Sequence, residues 1–153
     1  MKKIKLISSL SSLGVLSAVI PLAATSCSQS EDVNQKLQIY LSDTTYITTP
    51  ILVAGGTEQF TKSNFESIAT ATSGNLTLNV TAKLDGTSET VNTVTTNGFS
   101  GPLITGVTGG AGNNLTLKLT TSTVSTGQTG SASFNVYTSE GHHKTVSFTI
   151  VIS

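Results

Sequence analysis

Asn75-Leu-Thr-Leu-Asn-Val-Thr-Ala-Lys-Leu84, followed at once by Asp85-Gly86, decides the fold class. Leu76, Leu78, Val80, Ala82 and Leu84 alternate with Thr77, Asn79, Thr81 and Lys83. A period of two puts one set of side chains on each face of an extended strand, so this segment reads as a strand with one buried face. Asp-Gly suits a type I′ hairpin turn, whose two central residues both need positive φ. The return strand is predicted over Thr87 to Val94.

The same alternation extends in both directions. Toward the C-terminus, Ala132, Phe134, Val136 and Thr138 share one face, with Ser133, Asn135 and Tyr137 opposite. Ser139-Glu140-Gly141-His142 reads as the turn, and Val146, Phe148, Ile150 and Ile152 as the core face of the returning strand. Toward the N-terminus, Leu37, Ile39 and Leu41 alternate with polar partners, and Tyr46 to Val53 is a second extended run interrupted by Pro50, which favours an edge or a bend. Thr on the outer faces suits this pattern, because β-branching favours extended backbone while the hydroxyl stays hydrated.

Asn75-Leu-Thr-Leu-Asn-Val-Thr is echoed 39 residues on by Asn114-Leu-Thr-Leu-Lys-Leu-Thr. An internal duplication would give this echo; so would any Thr-rich, half-buried strand. One segment departs from the period of two. Phe60, Phe65, Ile68 and Ala69, with the capping-box spacing Ser63-x-x-Glu66, predict a short helix from about Asn64 to Ala71. The glycine-rich stretch from Gly98 to Gly112 is predicted to be loops around one short strand, Leu103 to Val107. Six to eight strands with one short helix imply a mainly β fold: an antiparallel β-sandwich of immunoglobulin-like character over residues 36–153. The paired cysteines and core Trp of antibody domains are absent, so the likeness is one of architecture.

Composition narrows the function. Charged residues are 10% and aromatics 5%, against about 25% charged in an ordinary soluble domain. All eight basic residues are Lys, and three of them precede residue 27, leaving five against eight acidic residues, a net charge of −3. With no Arg and so few cations, the chain lacks what phosphate neutralisation and bidentate base reading require, and nucleic acid is excluded as a partner.

Residues 1–26, MKKIKLISSLSSLGVLSAVIPLAATS, precede Cys27. Lys2, Lys3 and Lys5 form a basic start, Leu6 to Ala24 an apolar stretch diluted by Gly14, Pro21 and five Ser, and Ala23-Ala24-Thr25-Ser26 a run of small residues. This is the layout of an export signal. Ala24, Thr25, Ser26 and Cys27 resemble a bacterial lipobox, and the whole segment resembles the lipoprotein signal peptides of mollicutes, the wall-less mycoplasma group. Ser26 departs from the Gly or Ala commonest before the cysteine in other bacteria. The resemblance implies that the Cys27 thiol carries a diacylglyceryl group, that the signal is removed, and that 127 residues remain. Two acyl chains hold a protein stably on a membrane where one does not. Residues 27–35 would then be the lipidated cysteine and a polar tether, spanning roughly 15 Å if flexible.

The search for chemistry yields little. His142 and His143 are adjacent in a predicted turn, and the four ligands of a structural zinc site are missing; Glu140 with one His would make at most a weak surface metal site. No G-x-S-x-G surrounds a serine. Asp43, Glu58, Glu66, Asp85, Glu89 and Glu140 are scattered, with no pair set by a motif. Gly55-Gly56 and Gly109-Gly110-Ala111-Gly112 lack the Lys-Ser/Thr of a phosphate loop. The sequence implies no enzyme, no metal and no cofactor. Its expected partners are membrane lipid through acylated Cys27 and a host-surface protein or glycan. The expected role is a membrane-anchored interaction or antigenic coat module of the small variable-surface-lipoprotein type, with adhesion to a host surface as one form of it. The alternative is a small ligand- or carbohydrate-binding accessory lipoprotein of an uptake system, although a carbohydrate-binding sandwich would want a row of exposed aromatics, which 5% aromatic content hardly supplies. Tyr40, Tyr46 and Tyr137 are the side chains a binding surface would use first.

Overall fold

A computed structural model describes residues 33–153. Lys2, Lys3, Lys5, Ala24, Thr25, Ser26 and Cys27, with most of the expected tether, lie outside the described residues. Residues 33–36 form one helical turn, and a compact unit runs from Lys36 to Ser153.

Its strands are β1 (Gln38–Ser42), β2 (Ile51–Val53), β3 (Thr57–Phe60), β4 (Asn75–Leu84), β5 (Thr87–Glu89), β6 (Val91–Ser100), β7 (Ile104–Gly109), β8 (Asn114–Leu119), β9 (Thr129–Thr138) and β10 (His143–Ile152), with helix α1 (Lys62–Ala71) between β3 and β4. One sheet has the order β2-β1-β4-β8-β7, with β5 also on β4; the other has the order β3-β10-β9-β6. All pairings are antiparallel except β3 with β10, which is parallel. The protein is a mainly β sandwich with a short helix, as the alternation implies.

The alternating apolar sets form one core. Leu76, Leu78, Val80 and Ala82 of β4 are buried in the same cluster as Phe134 and Val136 of β9 and Phe148 and Ile150 of β10. Fully burying such a side chain stabilises by about 1.5–3 kcal/mol before the cost of ordering it is set against the gain. The Asp85-Gly86 turn has φ of 49° and 81°, both positive as a type I′ turn requires.

The return strand differs from expectation. Only β5 pairs back on β4; at Thr90 the chain leaves for the second sheet and continues as β6 to Ser100. The reason lies in β4, whose lower half, Asn75 to Asn79, is paired with β8 on the same edge that β5 uses at Ala82 to Leu84. A longer β5 would collide with β8. The two Asn-Leu-Thr-Leu phrases are direct neighbours, with Leu76 opposite Leu117 and Leu78 opposite Leu115. Between them the Thr77 and Thr116 hydroxyls meet at 3.1 Å.

The cap of α1 also differs. Thr61 in extended conformation is the N-cap, and its side chain accepts from the Asn64 N–H; Ser63 lies inside the helix. Strand β3 sets the start, since Phe60 still pairs with Ile152 and its carbonyl accepts from Ser153, so helical backbone begins directly after it. Glu66 does not complete a capping box but accepts the Val124 N–H at 3.2 Å, tying the helix to the segment before β9.

The sheets are joined along one side. Val94 N–H donates to Gly110 and Gly112 N–H to Asn92, and Thr93 bridges Ala111, so the end of β7 lies against β6 of the other sheet. The approach is close enough that a β-carbon at Gly109 would sit 2.5 Å from the Val94 carbonyl oxygen, whereas one at Gly110 would meet nothing. Gly109→Ala is therefore expected to lower stability by about 1–3 kcal/mol through overpacking, and Gly110→Ala to change it by less than about 0.5 kcal/mol. Equilibrium urea unfolding of the two variants against wild type checks this: equal midpoints for both would contradict the seam.

Candidate functional site

The chemistry-bearing side chains are distributed over both ends of the sandwich. The chain enters β1 at Gln38, opposite Lys83, at the end that carries the 85–86 turn and the 139–142 turn. Helix α1 and the segments after Ser100 and Leu119 lie at the other end, roughly 30 Å away by the rise of a ten-residue strand. Asp85 and Glu140 are turn residues at the first end, while Glu66 is held by Val124 at the second.

The structure brings one pair together that the sequence does not announce. Glu89 at the end of β5 holds His142, with Nδ1 at 2.8 and 3.0 Å from the two carboxylate oxygens. The Glu89 side chain is 8% exposed. Glu140, the neighbour in sequence that suggested a weak metal site, is not the residue that pairs. Among the described residues no group of three or more His, Cys, Asp and Glu could hold a metal ion. Nor does any hydroxyl there hydrogen-bond to the His142 ring. The pair pins the crossover from β5 to β6 against the β9–β10 turn, where Ser139 N–H also donates to the Thr90 carbonyl.

Tyr40, Tyr46 and Tyr137 do not converge. Tyr40 donates to Gln38 and has the Lys83 ammonium 5.5 Å from its ring centroid. Tyr46 lies in the loop between β1 and β2 and lines an open groove of about 560 Å³ with Pro50, Leu52, Glu58 and Phe60. This groove opens where both sheets end in short strands, β2 and β3. Glu58 pairs in register with buried Ile150, so its carboxylate sits on the inward side of an edge strand. Short edge strands and inward-pointing charge are devices that oppose strand addition.

Tyr137 belongs to the outer face of the β3-β10-β9-β6 sheet, which is a grid of neutral polar side chains. Thr93, Tyr137 and His143 form one row, Thr95, Asn135 and Thr145 the next, and Ser133 and Ser147 the one after. The Tyr137 and His143 rings stack with centroids 5.9 Å apart. Asn135 and Asn97 exchange two amide hydrogen bonds of 3.0 and 3.1 Å, and Thr145 donates to Asn135 at 2.6 Å. The register slips between Thr96 and Gly98, so that Gly98 stands opposite Ser133 and Phe99 opposite buried Ala132, on the inward side of this edge strand; a shallow hollow of about 220 Å³ lies along this edge, lined by Gly98, Phe99, Ser100, Ser131, Ala132, Ser133 and Ser147. Phe99 is 51% exposed, the most of any large apolar side chain described. The sequence reading treats this region as glycine-rich loop; the bulge that exposes Phe99 depends on pairing with β9 and has no local signature.

No protein-family model, curated protein or solved structure matches the chain. Fold and surface therefore carry the functional argument.

The loop that presents Tyr46 is organised by Asp43. Its Oδ1 accepts the N–H groups of Thr45, Tyr46 and Ile47 at 2.7, 2.6 and 3.0 Å. Partial burial works to raise the Asp43 pKa, but the three backbone donors outweigh it and hold the carboxyl below its ordinary value. A depressed folded pKa means the stabilisation is complete above the unfolded value of about 4 and is lost as pH falls through the lower folded one. Asp43→Ala should cost about 1 kcal/mol, with solvent weakening the charge-assisted bonds at this accessible position. Asp43→Asn, which keeps an oxygen acceptor, should cost less. Thermal unfolding of the three proteins at pH 7 and at about pH 3 checks this: the difference between wild type and Asp43→Ala should shrink at the lower pH.

Proposed function

We propose that this chain is a membrane-anchored surface lipoprotein whose β-sandwich serves as an interaction or antigenic coat module outside the cell. The observation that carries the reading is the run from Lys2 to Cys27: a basic start, an apolar stretch and Ala24-Thr25-Ser26 directly before the only cysteine of the sequence. A thioether-linked diacylglyceryl group on Cys27 would anchor the chain through two acyl tails. The compact unit begins at Lys36, nine residues beyond Cys27, so the sandwich would stand close to the headgroups. An outer face built from Thr, Ser and Asn needs no pairing with anionic lipid, in keeping with a module that meets other surfaces rather than its own bilayer.

Wild-type protein should enter the detergent phase on Triton X-114 partitioning and be removed from intact cells by added protease. Cys27→Ala should accumulate as uncleaved precursor without acyl label. Wild type that stays in the aqueous phase and takes up no labelled palmitate would end the lipoprotein reading.

A further inference from the structure

We propose that the groove between β2 and β3 receives an extended segment of a partner protein that carries one Lys or Arg between apolar residues. The proposal deepens the interaction-module reading by naming the partner's chemistry. It rests on that reading only in requiring that the groove be reached from outside the cell.

Inward-facing side chains of both sheets meet in this groove. Ile51 of β2 stands opposite buried Leu41, and Glu58 and Phe60 of β3 stand opposite buried Ile150 and Ile152. Residues directly opposite in a ladder project to the same face, so all three point into the space between the sheets at its open side. Tyr46 and Pro50 of the loop before β2 line the same groove. Apolar side chains from two sheets therefore share the groove with one carboxylate.

That carboxylate is unengaged. Four acidic side chains are half-buried among the described residues: Asp43, Glu58, Glu66 and Glu89. Asp43 accepts three backbone N–H groups, Glu66 accepts one from Val124, and Glu89 holds His142. The Glu58 carboxylate makes no ion pair and no hydrogen bond among the described residues, and no Lys or His lines the groove. The fold makes no use of this charge, which leaves it for something outside the chain.

Backbone groups are free beside it. Strand β3 ends its sheet and pairs only with β10. The Gly56 and Phe60 carbonyls accept from Thr149 and Ser153. Backbone groups alternate in direction along a strand, so the Gln59 N–H and C=O face the open edge.

Charge complementarity selects the occupant. An apolar strand laid here would take the Glu58 carboxylate out of water with nothing to balance it, and is rejected. A strand that brings its own cation pairs an ammonium or guanidinium with that carboxylate. Its residues two positions to either side project to the same face and meet Ile51 and Phe60, while its main chain meets Gln59. The aliphatic stem of the basic side chain can lie along the Tyr46 and Phe60 rings. One carboxylate thus excludes one class of strand and admits the other.

The test uses the full chain, isolated as it occurs in its cells and held in phosphatidylcholine nanodiscs. The probe is the acetylated peptide Thr-Val-Thr-Lys-Thr-Val-Thr, labelled with an uncharged dye and followed by fluorescence anisotropy. Saturable binding is expected, weakened by added salt, and about tenfold or more tighter than for peptides with norleucine or Glu in place of Lys. Glu58→Gln should erase that preference, and Glu58→Lys should turn it toward the Glu peptide. Glu140→Gln, in the turn at the other end of the sandwich, should change nothing. Glu58→Gln should also melt no lower than wild type, because its carboxylate holds nothing in the fold. If a Glu58 variant fails to fold, the comparison of Lys and norleucine peptides on wild type decides alone.

The proposal is overturned if no peptide binds, if norleucine serves as well as Lys, or if folded Glu58→Gln keeps the preference. It also falls if n-butylamine displaces the peptide at equal concentration, which would make this a small-amine site. Self-association of the chain that Glu58→Lys abolishes would put a second copy in the groove instead. Protease accessibility on intact cells separates this proposal from the surface reading. An exposed protein that binds no peptide loses only the groove, whereas a peptide-binding protein that is never exposed loses the surface role.

Discussion

Strand β4 is the constraint on which the rest of the structure depends. Its inward residues Leu76, Leu78, Val80 and Ala82 are buried, and hydrogen-bonding groups on both its edges must be paired because it lies in the middle of its sheet. One edge takes β1; the other is divided between β8 and β5. That division forces the chain out of the sheet after Glu89. The crossover carries β6 to the opposite layer, and the end of β7 then closes against it at Gly109. The Glu89–His142 pair and the Ser139–Thr90 hydrogen bond sit at the crossover, where a strand leaving its sheet has backbone groups to satisfy.

The sandwich manages its surface with almost no charge. Where most soluble domains rely on Lys and Glu, this one uses cross-strand hydroxyl and amide contacts: Thr77 with Thr116 on one sheet, and Asn97, Asn135 and Thr145 on the other. Such contacts contribute modestly one by one, but they hold polar side chains in fixed positions. The open edges are guarded by other means. Strands β2 and β3 are short, Pro50 precedes the first, and Glu58 turns a carboxylate inward on the second, so self-pairing is opposed without a charged exterior.

Much of the architecture is legible from alternation and turn chemistry. The apolar sets of β4, β9 and β10, the positive φ values at Asp85 and Gly86, and the helix near Phe65 and Ile68 follow from spacing alone, because the period of two and the steric needs of a type I′ turn are local properties. The N-cap of α1 was less legible. Thr61 and Ser63 are both good caps, and the choice between them was made by how far β3 had to run beside β10. The echo of Asn-Leu-Thr-Leu is visible in the sequence, yet nothing local says that the two phrases pair.

By itself the sequence determined the layer type, the core-facing residues, the near absence of charge and the export-signal pattern ending at Cys27, since each is written in residues close together in the chain. Only the tertiary structure decided where β5 ends and β6 begins, that Glu89 rather than Glu140 meets His142, and that a bulge in β6 sets Phe99 opposite Ala132. Those outcomes depend on which strand occupies which edge. Edge occupancy joins residues tens of positions apart, through space that no local pattern encodes.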